Sequence, residues 1–363
     1  MSQWMIYGAT GYSGRLIAEE AKRRGLAPIL AGRSPAAVQA VAEQLGLPWR
    51  AFPLDAPALV AENLQGLQLV VHCAGPFSAT SRPMVDACVK AKVDYLDITG
   101  EIGVFEAIQH RNQEVTDAGI SAIAGVGFDV VPSDCLAAML KEKLPTANAL
   151  VMGMYPRGGG VSPGTAKTMV EGLAEGGCIR RNGDLTRVPI AYKVATLPFE
   201  ENRSALAVTI PWGDVSTAFH STGIPDIEFY VGTTRSQVRG MRLARMMGPL
   251  LGLGPVQRLL KRRIDKNVRG PSAQRRDTGY AMLWGEARDG AGGCVAMRMR
   301  TPEPYALTFM TAVSAAERVL QGGVRKGAST PSIAFGSDFI LTVAGVTVET
   351  VVNHVSDVSG MAG

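Results

Sequence analysis

Three glycines at a spacing of three, Gly8, Gly11 and Gly14, are the first residues of the sequence with chemistry in view. Glycine has no Cβ, so a loop with this spacing lets the backbone approach a ligand closely. The free amide groups of a helix that follows then suit an anion, above all a pyrophosphate. Thr10, Tyr12 and Ser13 share the loop. Further on, where a carboxylate would hold the hydroxyls of a ribose, the sequence has Gly32-Arg33-Ser34. A guanidinium and a hydroxyl suit a 2′-phosphate, which a carboxylate would repel. The pair predicts NADP(H).

These residues need a strand before the glycines, a helix after them and a second strand before Arg33, and the sequence supplies all three. Residues 4–7 form an apolar run. Residues 15–24 place Leu16, Ile17, Ala18 and Ala21 on one helical face, and residues 28–31 are apolar again. The alternation continues with a helix at 35–45, a strand at 49–54 followed by Asp55, and a short helix at 58–64. A strand at 67–73, a helix at 82–91, a strand at 95–98, a helix at 103–118 and a strand at 120–124 complete it. This pattern predicts an α/β fold with a doubly wound Rossmann domain over residues 1–132. Ligands of such sheets lie beyond the carboxyl ends of the strands. The loops at 8–14, 32–34, 74–77, 99–101 and 126–134 are therefore expected to converge on one crevice. Asp55, Ala74, Gly75, Pro76, Gly100 and Phe128 join the candidate cofactor residues.

After Pro132 the texture changes. A helix at 133–143 is followed by alternating runs at 149–155, 190–194, 207–210, 226–231, 280–287 and 294–299. A glycine-rich loop at 158–164 opens a helix at 165–175. Residues 133–363 are predicted to be an α+β substrate and dimerisation domain on a mixed sheet. A helix at 304–321 and a strand-like tail at 332–348 stand at its end and are free to return to the first domain.

The 363 residues, 46% apolar and 19% charged, supply ample core for two domains. The first strand begins at residue 4, leaving no room for a signal or transit peptide, and no apolar run reaches the length of a membrane span. Five cysteines without a C-x-x-C pair read as reduced thiols of a cytoplasmic protein. Four histidines without ligand spacing predict no metal site. The net charge of +5 is uneven: residues 239–276 hold eleven Lys or Arg against Asp265, so nucleic acid is not the expected partner. Within 240–276, apolar positions bordered by cations predict two short amphipathic helices joined by a Gly/Pro hinge. Such helices could touch an anionic membrane or an acidic carrier protein, or pack on the second domain or a sister subunit.

The loop sequences Gly8-Ala-Thr-Gly-Tyr-Ser-Gly-Arg15, Ala31-Gly-Arg-Ser34, Cys73-Ala-Gly-Pro-Phe77, Asp94-Tyr-Leu-Asp-Ile-Thr-Gly-Glu101 and Gly127-Phe-Asp-Val-Val-Pro-Ser-Asp134 resemble the saccharopine dehydrogenase-like reductases. They are most like the trans-acting enoyl reductases of bacterial lipid and polyketide pathways. Gly164-Thr165, Gly270-Pro-Ser272, Thr301-Pro-Glu-Pro-Tyr305 and Thr330-Pro-Ser-Ile-Ala-Phe-Gly336 extend the resemblance along the chain. It implies an NADP-binding Rossmann domain and a second domain that shapes the substrate pocket and often pairs subunits into a homodimer. It does not imply one substrate. His72 departs from the pattern, since many relatives carry Asn there.

Hydride transfer to a substrate usually needs a matching proton donor. No tyrosine here has Lys four residues on, which excludes the short-chain reductase arrangement. Tyr155, Lys167 and His220 are candidate donors. For Lys167 a solvated helix position is the alternative, and for His220 a structural role. Glu101 either positions ribose or substrate or caps the helix near Gly103. Asp134 reads mainly as a first-turn helix carboxylate. The function expected is NADPH-dependent reduction of a hydrophobic, lipid-like or carrier-linked enoyl or carbonyl substrate. A saccharopine-type imine reductase and a non-catalytic NADP(H)-binding regulator are the alternatives.

Overall fold

The computed structural model describes residues 3–172, 176–246 and 253–351, and the chain divides into two units. Unit 1 comprises Met1–Val131 and Tyr305–Phe339; unit 2 comprises Pro132–Pro304 and Ile340–Gly363.

Short apolar runs build unit 1. In order come β1 (Trp4–Tyr7), α1 (Tyr12–Arg23), β2 (Ile29–Gly32), α2 (Pro35–Leu45), β3 (Trp49–Ala51), α3 (Pro57–Leu64), β4 (Leu69–His72), α4 (Phe77–Ala91), β5 (Asp94–Asp97), α5 (Ile102–His110), α6 (Asn112–Asp117) and β6 (Ser121–Ile123). Every residue of β1, β2 and β4 is buried, as expected of strands covered by helices on both faces. The later segment adds α13 (Pro304–Gln321), β15 (Gly327–Ser329), α14 (Pro331–Phe335) and a 3-10 turn at Ser337–Thr342. The sheet runs β15-β6-β5-β4-β1-β2-β3, with every pairing parallel. Arg24 ties α1 to α13, reaching Glu317 at 2.8 Å and Ser314 at 2.9 Å. Thr311 donates to the Val126 carbonyl at 2.8 Å.

Several sequence expectations change here, and the helix expected from 82 already begins at Phe77. The third strand ends at Ala51. The helix expected over 103–118 breaks at Arg111, whose backbone turns to φ −94, ψ 12 while its guanidinium reaches Asp86 at 2.8 Å and Glu114 at 2.7 Å. Most of the tail at 332–348 is not a strand, and only Thr347 and Val348 of it join β16: Thr330 accepts from the Ile333 amide and Pro331 occupies the first helical turn, so α14 starts instead.

Unit 2 holds α7 (Val131–Lys143, whose first residue ends unit 1), β7 (Ala149–Arg157), α8 (Pro163–Gly172), β8 (Gly177–Arg181), β9 (Asp184–Val188), β10 (Val194–Glu200), β11 (Arg203–Thr209), α9 (Asp214–Thr222) and β12 (Asp226–Gly232). It continues with α10 (Arg235–Met246), α11 (Gly254–Asn267), α12 (Ala273–Thr278), β13 (Tyr280–Arg288), β14 (Cys294–Pro302) and β16 (Thr347–Val351). The sheet runs β10-β11-β12-β7-β13-β14-β16, with the β8–β9 hairpin joined through β12. Only β12 and β7 pair in parallel among its described strands, so the sheet is mixed. Trp284 and Phe199 are buried at its centre. Gly285 lets α7 approach: a Cβ there would lie 2.6 Å from Leu140. Residues 247–252 of the Gly/Pro hinge, with Met247, Leu250 and Leu251, and the end of the helix expected over 165–175, lie outside the described residues, while Gly254 and Pro255 open α11. Among the described residues no helix is long and apolar enough to cross a membrane.

Candidate cofactor site

The carboxyl ends of β1, β2, β4, β5 and β6 carry the candidate residues of unit 1. Gly8 leaves β1 at φ +90, and its amide and that of Ala9 both donate to the Ala31 carbonyl, at 2.8 and 3.1 Å. A Cβ on Gly8 would lie 2.7 Å from the Ala74 amide nitrogen, and one on Gly14 would overlap the Gly8 carbonyl oxygen. Gly11 is the extended N-cap of α1 and offers no side chain, so the helix starts uncapped. Thr10 and Gly11 are exposed and Tyr12 and Ser13 half-buried; Tyr12 meets Tyr305 edge-on at 5.0 Å. A backbone cradle that side chains would fill, at a helix start with no side-chain cap, fits a pyrophosphate.

Arg33 and Ser34 follow β2 directly and are exposed. Ser34 is the N-cap of α2 by position, yet its hydroxyl makes no bond to the helix, which leaves it able to meet a ligand. Asp55, exposed beyond β3, and Arg33 both act on Tyr7. Burial pushes the Tyr7 hydroxyl up to about 12, with Arg33 opposing and Asp55 adding. That hydroxyl donates to the Phe52 carbonyl at 2.9 Å, holding β1 to the end of β3. The cationic and polar pair at the end of β2 fits a 2′-phosphate.

The turn after β4 is held from below. Thr80 Oγ1 donates to the Ala74 carbonyl at 2.6 Å and stands 3.0 Å from both the Pro76 carbonyl and His72 Nε2. A hydroxyl has one hydrogen; with that hydrogen on Ala74, His72 must donate from Nε2. Burial drives the imidazole down to about 3, so it is neutral, and Nδ1 has no hydrogen-bond partner. The Gly75–Pro76 peptide is cis, and Gly75 and Pro76 are exposed. Glu101 reaches this turn from the end of β5. Its carboxylate accepts from the Phe77 amide at 2.8 Å and the Ser78 amide at 2.7 Å. It is thus bound to the start of α4, and although Glu101 is the N-cap of α5 by position, its carboxylate makes no bond to that helix.

Asp97 is buried at the end of β5 and accepts from the Tyr95 hydroxyl at 2.7 Å and the Thr99 and Gly125 amides at 3.0 and 2.8 Å. Burial raises its carboxyl to about 6 against those bonds, with Glu101 adding. Burial also raises Asp129 to about 6. Its carboxylate abuts Gly100, where a Cβ would lie 2.7 Å from Asp129 Oδ2. Phe128 is buried, and its amide donates to Thr308 at 3.1 Å. Thr80, Thr308 and Thr311 support these loops without any local signal in the sequence, because their partners are set by the fold.

Tyr155 and Lys167 belong to unit 2. Arg157 lies over the half-buried Tyr155 ring at 4.0 Å and donates to its hydroxyl at 3.1 Å. Lys167 is half-buried on α8, and His220 on α9 meets Phe219 edge-on at 5.6 Å. Asp134 is buried in the first turn of α7. Among the described residues no group of three or more His, Cys, Asp and Glu could hold a metal ion.

Residues 4–123 match the family model of the saccharopine dehydrogenase NADP-binding domain. A Mycobacterium tuberculosis protein provisionally named a trans-acting enoyl reductase is 36% identical over 186 residues, covering 47% of this chain and 44% of its own. A trans-acting enoyl reductase of Mycobacterium ulcerans is 38% identical over 138 residues, covering 36% of this chain and 33% of its own. The chain therefore spans less than half the length of these curated relatives. The saccharopine dehydrogenase (L-Glu forming) of Saccharomyces cerevisiae has the same fold, with a TM-score of 0.65 over 97% of this chain and 100% of that one at 11% identity. Over residues 4–123 the chain is thus similar to the saccharopine dehydrogenase NADP-binding domain, which supports NADP(H) as its cofactor.

Proposed function

We propose that the chain is an NADPH-dependent reductase of a hydrophobic enoyl or carbonyl substrate, lipid-like or carrier-linked. The observation that carries this is the uncapped glycine cradle with Arg33 and Ser34 at the end of β2; the relatives' name supports reduction of an enoyl group. Bound NADPH supplies a hydride, and the chain must supply position and a proton. In this reading Gly8, Thr10, Gly11, Tyr12, Ser13 and Gly14 receive the pyrophosphate, and Arg33, Ser34 and Asp55 the adenosine end. Ala74, Gly75, Pro76, Gly100 and Phe128 border the nicotinamide end. Glu101 positions the turn before α4. Tyr155 is the proton donor: its oxygen accepts from Arg157, which leaves the hydroxyl hydrogen to be given away. Lys167 contacts an anionic part of the substrate. The second unit serves substrate binding and subunit pairing, and residues 240–276 bring a lipid-like or carrier-bound substrate near.

The test is NADPH oxidation against a substrate panel. Turnover of α,β-unsaturated thioesters ahead of amino-acid and keto-acid mixtures is expected. The reverse order would favour a saccharopine-type reaction, and tight NADPH binding without turnover a regulatory protein. Tyr155→Phe should lower kcat by about 10²–10⁴ with NADPH affinity unchanged.

A further inference from the structure

Two basic helices of unit 2 each turn a leucine away from the core. On α10, Val238 is buried with Ala191 and Val208, and Met241 packs against the same cluster, which occupies its apolar side. Leu243 points elsewhere and is 61% exposed, with Arg239 one turn before it and Arg242 next to it. On α11 the half-buried line is Val256, Leu260 and Ile264, spaced by four. This helix packs along α8, where Gln257 Nε2 donates to the Val170 carbonyl at 2.9 Å. Leu259 stands off that line at 62% exposure, among Arg258, Arg262, Arg263 and Lys266. Leu253 is 51% exposed and Met169 of α8 58%. From 235 to 267 the sequence holds nine Lys or Arg against Asp265. Among the described residues no carboxylate pairs with Arg239, Arg242, Arg262 or Arg263.

One exposed leucine is ordinary. Two on separate helices, each set among unpaired arginines, form the pattern of an interfacial anchor, apolar side chains for the acyl layer and cations for the phosphates. We propose that α10 and α11 lie on an anionic phospholipid surface, with Leu243 and Leu259 inserted and the arginines around them on the headgroups. A second copy of the chain suits this surface poorly, because an isologous contact would set cation against cation. An acidic carrier protein meets the charges. Leucines on separate helices, however, fit a fluid surface, into which each inserts independently, better than one rigid pocket. The proposal deepens the part given to residues 240–276 in the reductase reading, but it uses no residue of the cofactor crevice, and vesicle binding is measured without turnover.

The full chain is sedimented with phosphatidylcholine vesicles, with and without phosphatidylglycerol, at low and moderate salt. Binding only to the anionic vesicles, weakened by salt, is expected. The double variant Leu243→Ser/Leu259→Ser should bind at least about tenfold more weakly. Arg262→Gln/Arg263→Gln should bind about twenty-fivefold more weakly, about fivefold for each cation. Failure to sediment with anionic vesicles at low salt overturns the proposal, as does a leucine variant that binds like the parent. Displacement from the vesicles by an added acyl carrier protein would also overturn it, in favour of a protein partner.

Discussion

In the proposed reading, cofactor choice turns on Arg33. Its type and distance from the glycines make it legible in the sequence, and the structure places it exposed at the end of β2. Arg33→Ala should weaken NADPH by about 1.5–3 kcal/mol, the usual worth of hydrogen bonds to a charged group, and leave NADH nearly unchanged. Titration of nicotinamide fluorescence measures both, and equal losses for the two cofactors would refute the assignment. His72 and Asp97 were less legible, because what matters about them is burial. His72 titrates near 3 in the fold and near 6.5 unfolded, so the unfolded chain binds more protons between those values and stability falls on acidification. Asp97 titrates near 6 in the fold and 3.8 unfolded, so the folded chain binds more protons there and stability rises on acidification. The two oppose each other between about pH 4 and 6. Asn can replace Asp97 with its oxygen still accepting from the Thr99 and Gly125 amides. Asp97→Asn should then lose stability from pH 6 to pH 4 more steeply than the parent, by about 1.4 kcal/mol per pH unit. Urea unfolding at both pH values tests this; parallel slopes would contradict it.

Elements were most readable where a loop's chemistry and the period of its neighbours agreed. The β1–α1–β2 unit and α13 are of that kind. The β8–β9 hairpin shows the opposite case. Asn182-Gly183 is a turn signature, and the pair takes φ 52 and 86, yet β9 reads Asp184-Leu-Thr-Arg-Val188 with little to mark a buried face. Ile333, Phe335, Phe339 and Ile340 of the tail look like a strand until Thr330-Pro331 is given its weight as a helix start. Two substitutions test the joints between elements. Gly14→Ala would set a methyl into the Gly8 carbonyl, backbone against backbone, so α1 must move off the loop. A loss of about 1–3 kcal/mol in urea unfolding and of NADPH binding is expected. Glu101→Ala removes the acceptor for two amides at the start of α4, and a cost of about 1.5–3 kcal/mol is expected, with Glu101→Gln retaining about half. If Glu101 acts on the substrate instead, both variants would melt like the parent and lose turnover.

At the scale of the whole molecule, the first unit is not one continuous stretch of sequence. The family match covers residues 4–123, but the sheet's edge strand β15 comes from Gly327–Ser329, and Thr308, Thr311, Ser314 and Glu317 on α13 bind groups at 24, 126 and 128. A fragment of residues 1–131 should therefore unfold at lower urea than the same fragment joined by a flexible linker to 305–339, as circular dichroism would show. Equal midpoints would mean that the later segment adds nothing to this unit. The same connectivity sets an order of events on the ribosome. The glycine loop and its strands emerge first, yet their unit cannot close until α13 and β15 have been made. The intervening Pro132–Pro304 takes roughly nine to thirty-five seconds to synthesise at about 5–20 residues per second. For that interval the nascent chain carries an open β6 edge, the kind of surface that invites pairing with the wrong strand or capture by a chaperone.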